Sequence, residues 1–426
     1  MKRVYLETWG CQMNFHDSER VLGLLRQKGY VRVDDPREAD VILFNTCSIR
    51  EKAEHKFLSR LGRTKGLKKR NPSLKIAVLG CIAQQSGEKL KEKAPYVDYV
   101  IGPQNINRVG EALELEEGVL TDDNPEIALS DIPAYRESTV SAWVNIMYGC
   151  NNFCSYCIVP YTRGRERSRP AENIVREIEE LVKNGYKEVT LLGQNVNSYS
   201  GNVTFPELLR MVNKIEGLER IRFVTSHPKD LGPELVQAMA ECEKVCEHIH
   251  LPLQSGSDRI LKLMNRKYTM EQYYEKIRML RDAIPAIAIT TDIIAGFPTE
   301  RDEDHQATIE ALKEIEFDGI FAFKYSKRPY TRASKMDGQL PEEVKAERLN
   351  QILRLQDEIT ERKNKLLKNT VQEVLVEGKN DSGQYTGRTR TNKIVNINKA
   401  DGLTAGQIVK VLITEPHRHS LEGRLT

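Results

Sequence analysis

Gly149-Cys150-Asn151-Asn152-Phe153-Cys154-Ser155-Tyr156-Cys157 places three cysteines at C-x3-C-x2-C spacing, just after a short apolar run from Trp143 to Met147. Three thiolates this close cannot all pair as disulfides. They can converge on one soft metal site, and thiolates suit iron–sulfur clusters or zinc. Both ordinarily take four protein ligands. The motif supplies three, so one metal position is left open to an exogenous group, which implies chemistry rather than scaffolding. A buried structural loop, or a zinc site completed from elsewhere in the chain, are the alternatives that spacing alone leaves open.

On the C-terminal side of this stretch, apolar runs alternate with helical patterns. Strand candidates are Trp143–Met147, Val189–Leu192, Ile221–Val224, His248–Leu251, Ile287–Ile294 and Gly319–Phe323. Ile174, Ile178, Leu181 and Val182 have the spacing of one buried helix face. Six strand–helix units predict a partial (β/α)6 barrel rather than the closed eight, with chemistry at the C-terminal strand ends. Cys150–Cys157 follows the first strand, where that rule expects it. Leu192-Gly193-Gln194-Asn195, Leu253-Gln254-Ser255-Gly256-Ser257 and the segment from Ala295-Gly296 to Glu300 follow the second, fourth and fifth. Glycines there let the backbone approach a ligand, and amides and hydroxyls can hold a ribose or an amino acid; ordinary turns read the same way. Arg163, Arg165, Arg167 and Arg169 come directly after the cysteines, as phosphate clamps on a surface loop or as solvated charge. Cys242 and Cys246 are four apart on a helical pattern and read as packing residues.

On the N-terminal side, Val4-Tyr5-Leu6 leads to Cys11, Val41–Phe44 to Cys47 and Ile76–Leu79 to Cys81. Near-continuous apolar runs separated by helical stretches predict buried parallel strands. The intervals between the cysteines, 36 and 34 residues, each fit one strand–helix unit. All three cysteines fall just past predicted strand ends, on the sheet edge where ligands bind, so residues distant in sequence are brought together. After Cys47 a long helix ends in Arg60, Arg63, Lys65, Lys68, Lys69 and Arg70, a solvated face or a phosphate contact. Asp122–Pro125 and Asp131–Pro133 read as a linker.

Pro341 to Asn369 reads as a helix. Beyond it, Val371–Val376, Tyr385–Arg390, Ile394–Ile397, Val409–Ile413 and Leu421–Leu425 alternate with turns and predict a small β-barrel. Arg388, Arg390, Lys393 and Arg418, with Tyr385 and His417, are expected to be exposed and to form a basic stacking surface for RNA. The expected organisation is therefore α/β: residues 1–133 a parallel-sheet domain, 134–368 the barrel, 369–426 the small β-barrel.

Composition bounds the partners. The chain has 426 residues, 64 Lys and Arg against 61 Asp and Glu, and a net charge of +3, so nucleic-acid binding must use local patches. No apolar run is long enough to span a membrane, and the first residues do not resemble a signal peptide. Eight cysteines in this length are no disulfide scaffold, and oxygen-sensitive thiolate clusters suit a reducing cytoplasm.

The C-x3-C-x2-C motif with Tyr156 before its last cysteine resembles the radical S-adenosylmethionine signature. The longer string from Met147 to Arg165, including Ile158-Val159-Pro160-Tyr161-Thr162-Arg163-Gly164-Arg165, is similar to the methylthiotransferase family and its tRNA-modifying MiaB type. Gly10–Asn14, Asn45–Arg50 and Gly80-Cys81 resemble that family's three N-terminal cysteine motifs, and the C-terminal segment resembles the RNA-binding TRAM domain. The resemblance implies two 4Fe–4S clusters, one on Cys11, Cys47 and Cys81 and one on Cys150, Cys154 and Cys157, each with a free iron. It implies S-adenosylmethionine as methyl donor and radical source, with Gln194, Asn195, Gln254, Ser255 and Gly296 as candidate contacts, and Arg163, Arg165, Arg167, Arg388, Arg390 and Lys393 as RNA candidates. The implied reaction replaces the C2–H of N6-dimethylallyladenosine at position 37, in the tRNA anticodon stem-loop, by SCH3. The implied partners are an electron donor such as flavodoxin or ferredoxin and a sulfur source, with no membrane. An unactivated sp2 C–H is too weakly acidic for a general base, so a cofactor must supply the radical. Methylthiolation of threonylcarbamoyladenosine or of a ribosomal-protein aspartate, and an RNA-binding protein with structural zinc, are the competing expectations.

Overall fold

The apolar runs ahead of Cys11, Cys47 and Cys81 become neighbouring strands of one parallel sheet. The computed structural model describes residues 1–48, 51–398, 400 and 402–426, the side chains of 51–53 excepted; Ile49 and Arg50, the tail of the second cysteine motif, lie outside the described residues. The strands β1 (Lys2–Trp9), β2 (Tyr30–Arg32), β3 (Val41–Thr46), β4 (Lys75–Gly80), β5 (Tyr99–Ile101) and β6 (Gly118–Leu120) pair in the order β2-β1-β3-β4-β5-β6, all parallel. Both faces are covered, which is why these strands lack polar alternation. Val41, Leu43, Ala77 and Leu79 pack on one side, Ile42, Phe44, Ile76 and Val78 on the other. Helices α1 (Gln12–Gln27), α2 (Glu51–Arg70), α3 (Cys81–Ser86), α4 (Glu88–Lys93) and α5 (Val109–Ala112) complete the unit. Two residues of the basic end of α2 are tied into this domain: Arg60 pairs with Glu7 (2.9 Å) and Lys68 with Asp98 (2.8 Å).

The linker does not hang free. A Cβ at Gly23 on α1 would lie 2.2 Å from the Pro133 carbonyl oxygen, and Tyr135 N–H donates to the Glu19 carbonyl at 2.8 Å. The connection is laid across α1 before the barrel begins.

The barrel opens with β7 (Ser141–Asn145). A short antiparallel pair, β8 (Met147–Tyr148) and β9 (Arg167–Ser168), brackets the cysteine loop and the turn of helix α6 (Val159–Thr162). Then come α7 (Ala171–Lys183), β10 (Glu188–Leu192), α8 (Phe205–Asn213), β11 (Arg220–Phe223), α9 (Pro233–Glu241), β12 (His248–His250), α10 (Asp258–Leu263), α11 (Met270–Ala283), β13 (Ala288–Ala295), α12 (Asp302–Ile315) and β14 (Gly319–Lys324). The strands form two parallel triplets, β11-β10-β7 and β12-β13-β14, joined by a parallel bridge from Ile221 to Val245. All six expected strands are present. Ile174, Ile178 and Leu181 of α7 join the core between strands and helices, as their spacing predicts. Cys242 and Cys246 do not share a helix face: α9 ends at Glu241, and Cys246 N–H donates to the Ile221 carbonyl at 3.0 Å. Both are buried.

Helix α13 (Glu342–Lys365) packs on β13 and β14 and leads to a closed barrel of β15 (Val371–Lys379), β16 (Tyr385–Thr389), β17 (Ile394–Ile397), β18 (Ile408–Pro416) and β19 (Leu421–Leu425). This small barrel packs under the N-terminal end of the large one. Ile221 and Phe223 of β11 enter the core, so the alternating Arg220 and Arg222 face the other way. Arg220 donates to the Arg388 carbonyl (2.7 Å) and Glu373 carboxylate (2.9 Å). Arg222 donates to the Thr389 carbonyl (2.7 Å) and to Glu188 (2.8 Å).

The expectation of an exposed RNA surface at Arg388, Arg390 and Lys393 is corrected by this seam. All three are part-buried. Arg390 pairs with Glu247 (2.8 Å) and donates to the Glu243 and Val245 carbonyls (both 2.8 Å). Lys393 donates to Asn364 (2.9 Å), and Arg388 pairs with Glu377 (3.2 Å). A hydrophobic contact between two small barrels gives too few fixed points, and the guanidinium forks supply them. A groove of about 300 Å3 along this seam, lined by Gln356, Arg388, Lys393 and Arg418 among others, is an interdomain cleft at the end opposite the cysteines.

Candidate active site

Cys11 caps the N-terminus of α1, Cys47 follows β3, and Cys81 opens α3 directly after β4. Since β1, β3 and β4 are adjacent, the three thiols meet at one sheet edge. Gly10 and Gly80, which precede two of them, sit at φ +153° and +86°. A Cβ at Gly10 would be 2.8 Å from Cys47 Cβ, and one at Gly80 2.3 Å from Asn45 Oδ1. The glycines therefore permit both the turn and the close approach. Asn45 locks the edge, donating to the Asn14 carbonyl (2.8 Å) and to Ser18 Oγ (2.9 Å).

The electrostatics of this edge come from another domain. Arg163, which ends the turn after the second cysteine motif, is buried and donates to Asp17 Oδ2 on α1 at 2.8 Å. The arginines after Cys157 are thus not a solvated clamp. Arg163 crosses to the sheet domain, Arg167 pairs with Asp123 (2.6 Å), and Arg169 is buried against Glu177 (2.8 Å). Arg165 stays exposed, 4.5 Å over the Phe153 ring. A hydrogen bond with Cys47, working against burial and helped by the charge of Arg163 and the first N–H groups of α1, holds the Cys11 thiol down to about 6. Burial pushes Cys81 up, with Arg163 pulling against it. Burial also raises the Asp17 carboxyl, again opposed by Arg163. Desolvation works against the Arg163 charge, but Asp17, Cys81 and Cys11 outweigh it, and the guanidinium stays charged.

Cys150, Cys154 and Cys157 sit on the loop between β8 and α6. Gly149, at φ +68°, admits no side chain: a Cβ would lie 2.0 Å from the Arg165 carbonyl oxygen. Asn265 donates to the Asn152 and Phe153 carbonyls (3.2 and 3.0 Å), Ser155 N–H to the Met264 carbonyl (2.9 Å), and Ala333 N–H to the Ser155 carbonyl (2.8 Å). Tyr156 packs on Ile260, Met264, Phe297 and Tyr325. Burial raises Cys150 to about 11 and Cys157, with Cys154 adding to it, to about 12. Arg266, buried, donates to Cys154 Sγ at 3.4 Å.

Each edge offers three thiols, one short of the full set of a tetrahedral zinc or a four-cysteine cluster. Unpartnered buried polar atoms gather beside both triads. Asp17 Oδ1, Thr46 Oγ1, Ser48 Oγ, Gln84 Oε1 and Gln85 Oε1 belong to the sheet domain; Ser155 Oγ, Gln194 Oε1 and Nε2, Asn195 Oδ1, Ser226 Oγ and His227 Nε2 belong to barrel strand ends. Buried polar atoms are normally paired, so these fit a polar ligand.

The five ligand candidates separate accordingly. Gln194 and Asn195 carry unpartnered atoms at the end of β10. Gln254 is buried with φ +74°, its backbone bonded to Asp292 and Ile294. Ser255 Oγ accepts from Ser257 N–H (3.2 Å) and faces Thr308. Gly296 makes room for α13: its Cβ would lie 2.4 Å from Lys345 Cγ, and its N–H donates to Glu300 (3.0 Å). Ser226 and His227, after β11, carried no motif in the sequence. Arg266 lies more than a hundred residues from the thiol it meets, with no local signal. The recurring Gly-Cys dipeptide at 10–11, 80–81 and 149–150 was the available clue to the turns.

Three family models match the chain: the radical SAM superfamily over residues 144–312, the uncharacterized protein family UPF0004 over 3–102 and the TRAM domain over 365–426. A protein of Thermodesulfovibrio yellowstonii named tRNA-2-methylthio-N(6)-dimethylallyladenosine synthase is 62% identical, covering 99% of this chain and 98% of that protein. Proteins of the same name from Clostridium novyi and Syntrophus aciditrophicus are 51% and 50% identical, each covering 100% of this chain and 96% and 94% of their own. Among solved structures, the radical S-adenosylmethionine methyltransferase TsrM from Kitasatospora setae, with tryptophan and an S-adenosylmethionine analogue bound, has a TM-score of 0.59 at 15% identity, covering 78% of this chain and 75% of its own. The cobalamin-dependent S-adenosylmethionine radical enzyme OxsB gives 0.56 at 14% identity, covering 91% and 64%. At these identities the structures speak for the fold.

Proposed function

The chain belongs to the tRNA-2-methylthio-N6-dimethylallyladenosine synthases, radical S-adenosylmethionine methylthiotransferases, and from that premise we propose that it converts N6-dimethylallyladenosine at position 37 of tRNA to its 2-methylthio derivative. The observation that carries the two-site chemistry is Arg163: it leaves the turn after one cysteine triad and buries its charge against Asp17 beside the other. A buried ion pair thereby ties the loop of one thiol triad to the helix beside the other.

Cys150, Cys154 and Cys157 would hold one 4Fe–4S cluster, and Cys11, Cys47 and Cys81 a second. When bound, these clusters and S-adenosylmethionine supply the radical, the sulfur and the methyl group. The protein's own part is positioning and exclusion. Gln194 and Asn195 offer amide groups to the polar ends of S-adenosylmethionine beside the barrel triad. Arg266 holds a positive charge at Cys154, and Arg163 holds one at Cys11 and Cys81, offsetting the negative charge that thiolates and sulfide collect. Placing substrate between two fixed sites removes the entropy of bringing three reactants together. The base must leave its loop to reach them, which single-stranded RNA allows at modest cost. An electron donor of the flavodoxin or ferredoxin class and a separate sulfur source complete the cycle, and a tRNA substrate with reduced clusters places the work in the cytoplasm.

The test is nucleoside mass spectrometry. The protein is reconstituted anaerobically with iron and sulfide and given reductant, S-adenosylmethionine and tRNA carrying dimethylallyladenosine. A methylthio gain on that nucleoside is expected. Cleavage of S-adenosylmethionine without the gain would redirect the reading to threonylcarbamoyladenosine or the ribosomal aspartate. A zinc-containing protein without cleavage would overturn it.

A further inference from the structure

The segment that ends the last barrel strand and follows it, Lys324-Tyr325-Ser326-Lys327-Arg328-Pro329-Tyr330-Thr331-Arg332-Ala333-Ser334-Lys335, carries five basic residues and no acidic one. It is fastened to the cysteine loop, since Ala333 N–H donates to the Ser155 carbonyl, between Cys154 and Cys157. It also reaches the sheet domain, where Arg328 pairs with Glu54 of α2 at 3.7 Å. Lys324 is tied to Glu342 of α13 (2.9 Å). Lys327, Arg332 and Lys335 are exposed.

An aromatic row runs across the same face. Arg165 lies over Phe153; the rings of Phe153 and Tyr161 are 6.1 Å apart edge to face, and those of Tyr161 and Tyr330 are 6.1 Å apart at 35°. Tyr161 and Tyr330 are 44% and 57% exposed, which is unusual for large rings in mutual contact beside a buried core. Phe153 and Tyr330 both hold left-handed backbone, at φ +46° and +67°, which bulky residues rarely adopt. The fold thus turns two aromatic side chains toward a face they would not otherwise line.

We infer that Tyr161 and Tyr330, flanked by Lys327, Arg332, Lys335 and Arg165, bind the unpaired nucleotides next to the target base in a single-stranded RNA loop. The inference rests on the tRNA reading above and names the surface that reads the loop. Stacking rings between cations match what a single strand offers, a planar base on one side and a phosphate on the other. An acidic protein surface would match the charges, whereas a single strand matches charges and exposed rings together. This face takes over the role expected of Arg388, Arg390 and Lys393, whose charges are engaged, Arg388 with Glu377 of its own barrel and Arg390 and Lys393 at the seam.

The experiment measures binding of the full, reconstituted chain to a synthetic RNA hairpin whose loop carries dimethylallyladenosine, with a blunt RNA duplex of equal length as comparator. Tyr330→Ala and Tyr161→Ala are each expected to weaken hairpin binding roughly ten-fold, duplex binding being unaffected, while Tyr330→Phe keeps wild-type affinity. Replacing Lys327, Arg332 and Lys335 by Gln lowers the slope of log affinity against log salt by about two, from roughly 0.7 per single-strand phosphate contact. Iron content and visible absorbance report whether the cysteine loop is intact in each variant. Should Tyr330→Ala lose iron, the triple Gln variant, which alters only exposed side chains, decides the outcome. Hairpin affinities within two-fold of wild type overturn the inference. So does a triple variant that binds RNA normally but is reduced more slowly by flavodoxin, which would assign the face to an acidic redox protein. If the wild-type chain methylthiolates the hairpin, the tRNA reading stands whatever the variants do; if no variant and no wild type binds RNA, both fall together.

Discussion

Cys150, Cys154 and Cys157 come from one loop, whereas Cys11, Cys47 and Cys81 come from three strand ends of another domain. The single-loop triad sits in a dry setting that pushes Cys150 to about 11 and Cys157 to about 12. The dispersed triad has a helix N-terminus at Cys11 and a buried guanidinium beside it, and Cys11 is held down to about 6. The difference teaches how each site is made ready. The loop is preorganised by sequence proximity, and its raised thiols would give up their protons only to a metal they coordinate. The sheet edge is assembled by the fold and receives its positive charge from the neighbouring domain.

The comparison breaks most visibly under cysteine substitution. Cys→Ala at Cys150, Cys154 or Cys157 is expected to abolish both S-adenosylmethionine cleavage and methylthiolation. The same change at Cys11, Cys47 or Cys81 should leave cleavage largely intact and abolish methylthiolation. Parallel assays of 5′-deoxyadenosine and the modified nucleoside separate the two. Equal loss of cleavage from both triads would merge the sites the comparison divides.

Arg163→Ala comes next. It leaves Asp17 buried without its partner, a loss of about 3–5 kcal/mol for a broken buried pair. Urea unfolding measures it, and a cycle with Asp17→Asn isolates the pair. Iron content of the protein carrying only the N-terminal triad should fall with it. An unchanged unfolding curve would mean that the dispersed triad does not depend on the other domain.

Acid should separate the two regions by a smaller margin. Burial, with Arg266 and Lys229, holds His227 down to about 2, and burial, with Arg222, His250, Lys393 and Arg388, holds His248 to about 3. Burial and four arginines likewise put His16 of α1 well below its ordinary value. In the window below about 6.5 the unfolded chain binds these protons and the native chain does not, so stability falls as pH falls. Between pH 6.5 and 5 His227 and His248 each cost about 1.7 kcal/mol, about 3 kcal/mol for the barrel, and His16 acts in the same direction in the sheet domain. Hydrogen exchange at the two pH values reads the domains separately, and His248→Gln should remove one share. A uniform response would remove this distinction.

The smallest effect belongs to a device the triads share. Gly80→Ala and Gly149→Ala each force a side chain into left-handed backbone, at about 1–3 kcal/mol from conformation alone. Thermal unfolding and iron content should both fall, in each triad alike. Tolerance at Gly80 with loss at Gly149 would show that only the loop needs its turn fixed.

Much of this was legible because the signals were local. Three thiols within one loop announce a ligand set by spacing, and apolar runs ahead of Cys11, Cys47 and Cys81 announce buried strands because a parallel sheet covered on both faces suppresses alternation. The six barrel strands and the five of the small barrel followed from the same patterns. The basic residues were the failure. Arg163, Arg169 and Arg390 read as solvated or RNA-facing, and the fold buries or part-buries them against Asp17, Glu177 and Glu247. A charge carries no periodic signature of its partner, so composition could count the arginines without saying which were already engaged.

The chain alone marked the strands ahead of Cys11, Cys47 and Cys81, the six barrel strands and the five of the small barrel, because hydrophobic period is a short-range property; the short strands β2, β5 and β6, which complete the first sheet, carried too few residues to show a period. Tertiary structure alone decided that the dispersed thiols share one edge with a guanidinium from the other domain, that Arg266 meets Cys154, and that Tyr161 and Tyr330 stand side by side at the barrel mouth. Those pairings join residues from about eighty to more than a hundred and fifty positions apart. They follow from packing whole domains together, and no local pattern in the chain encodes them.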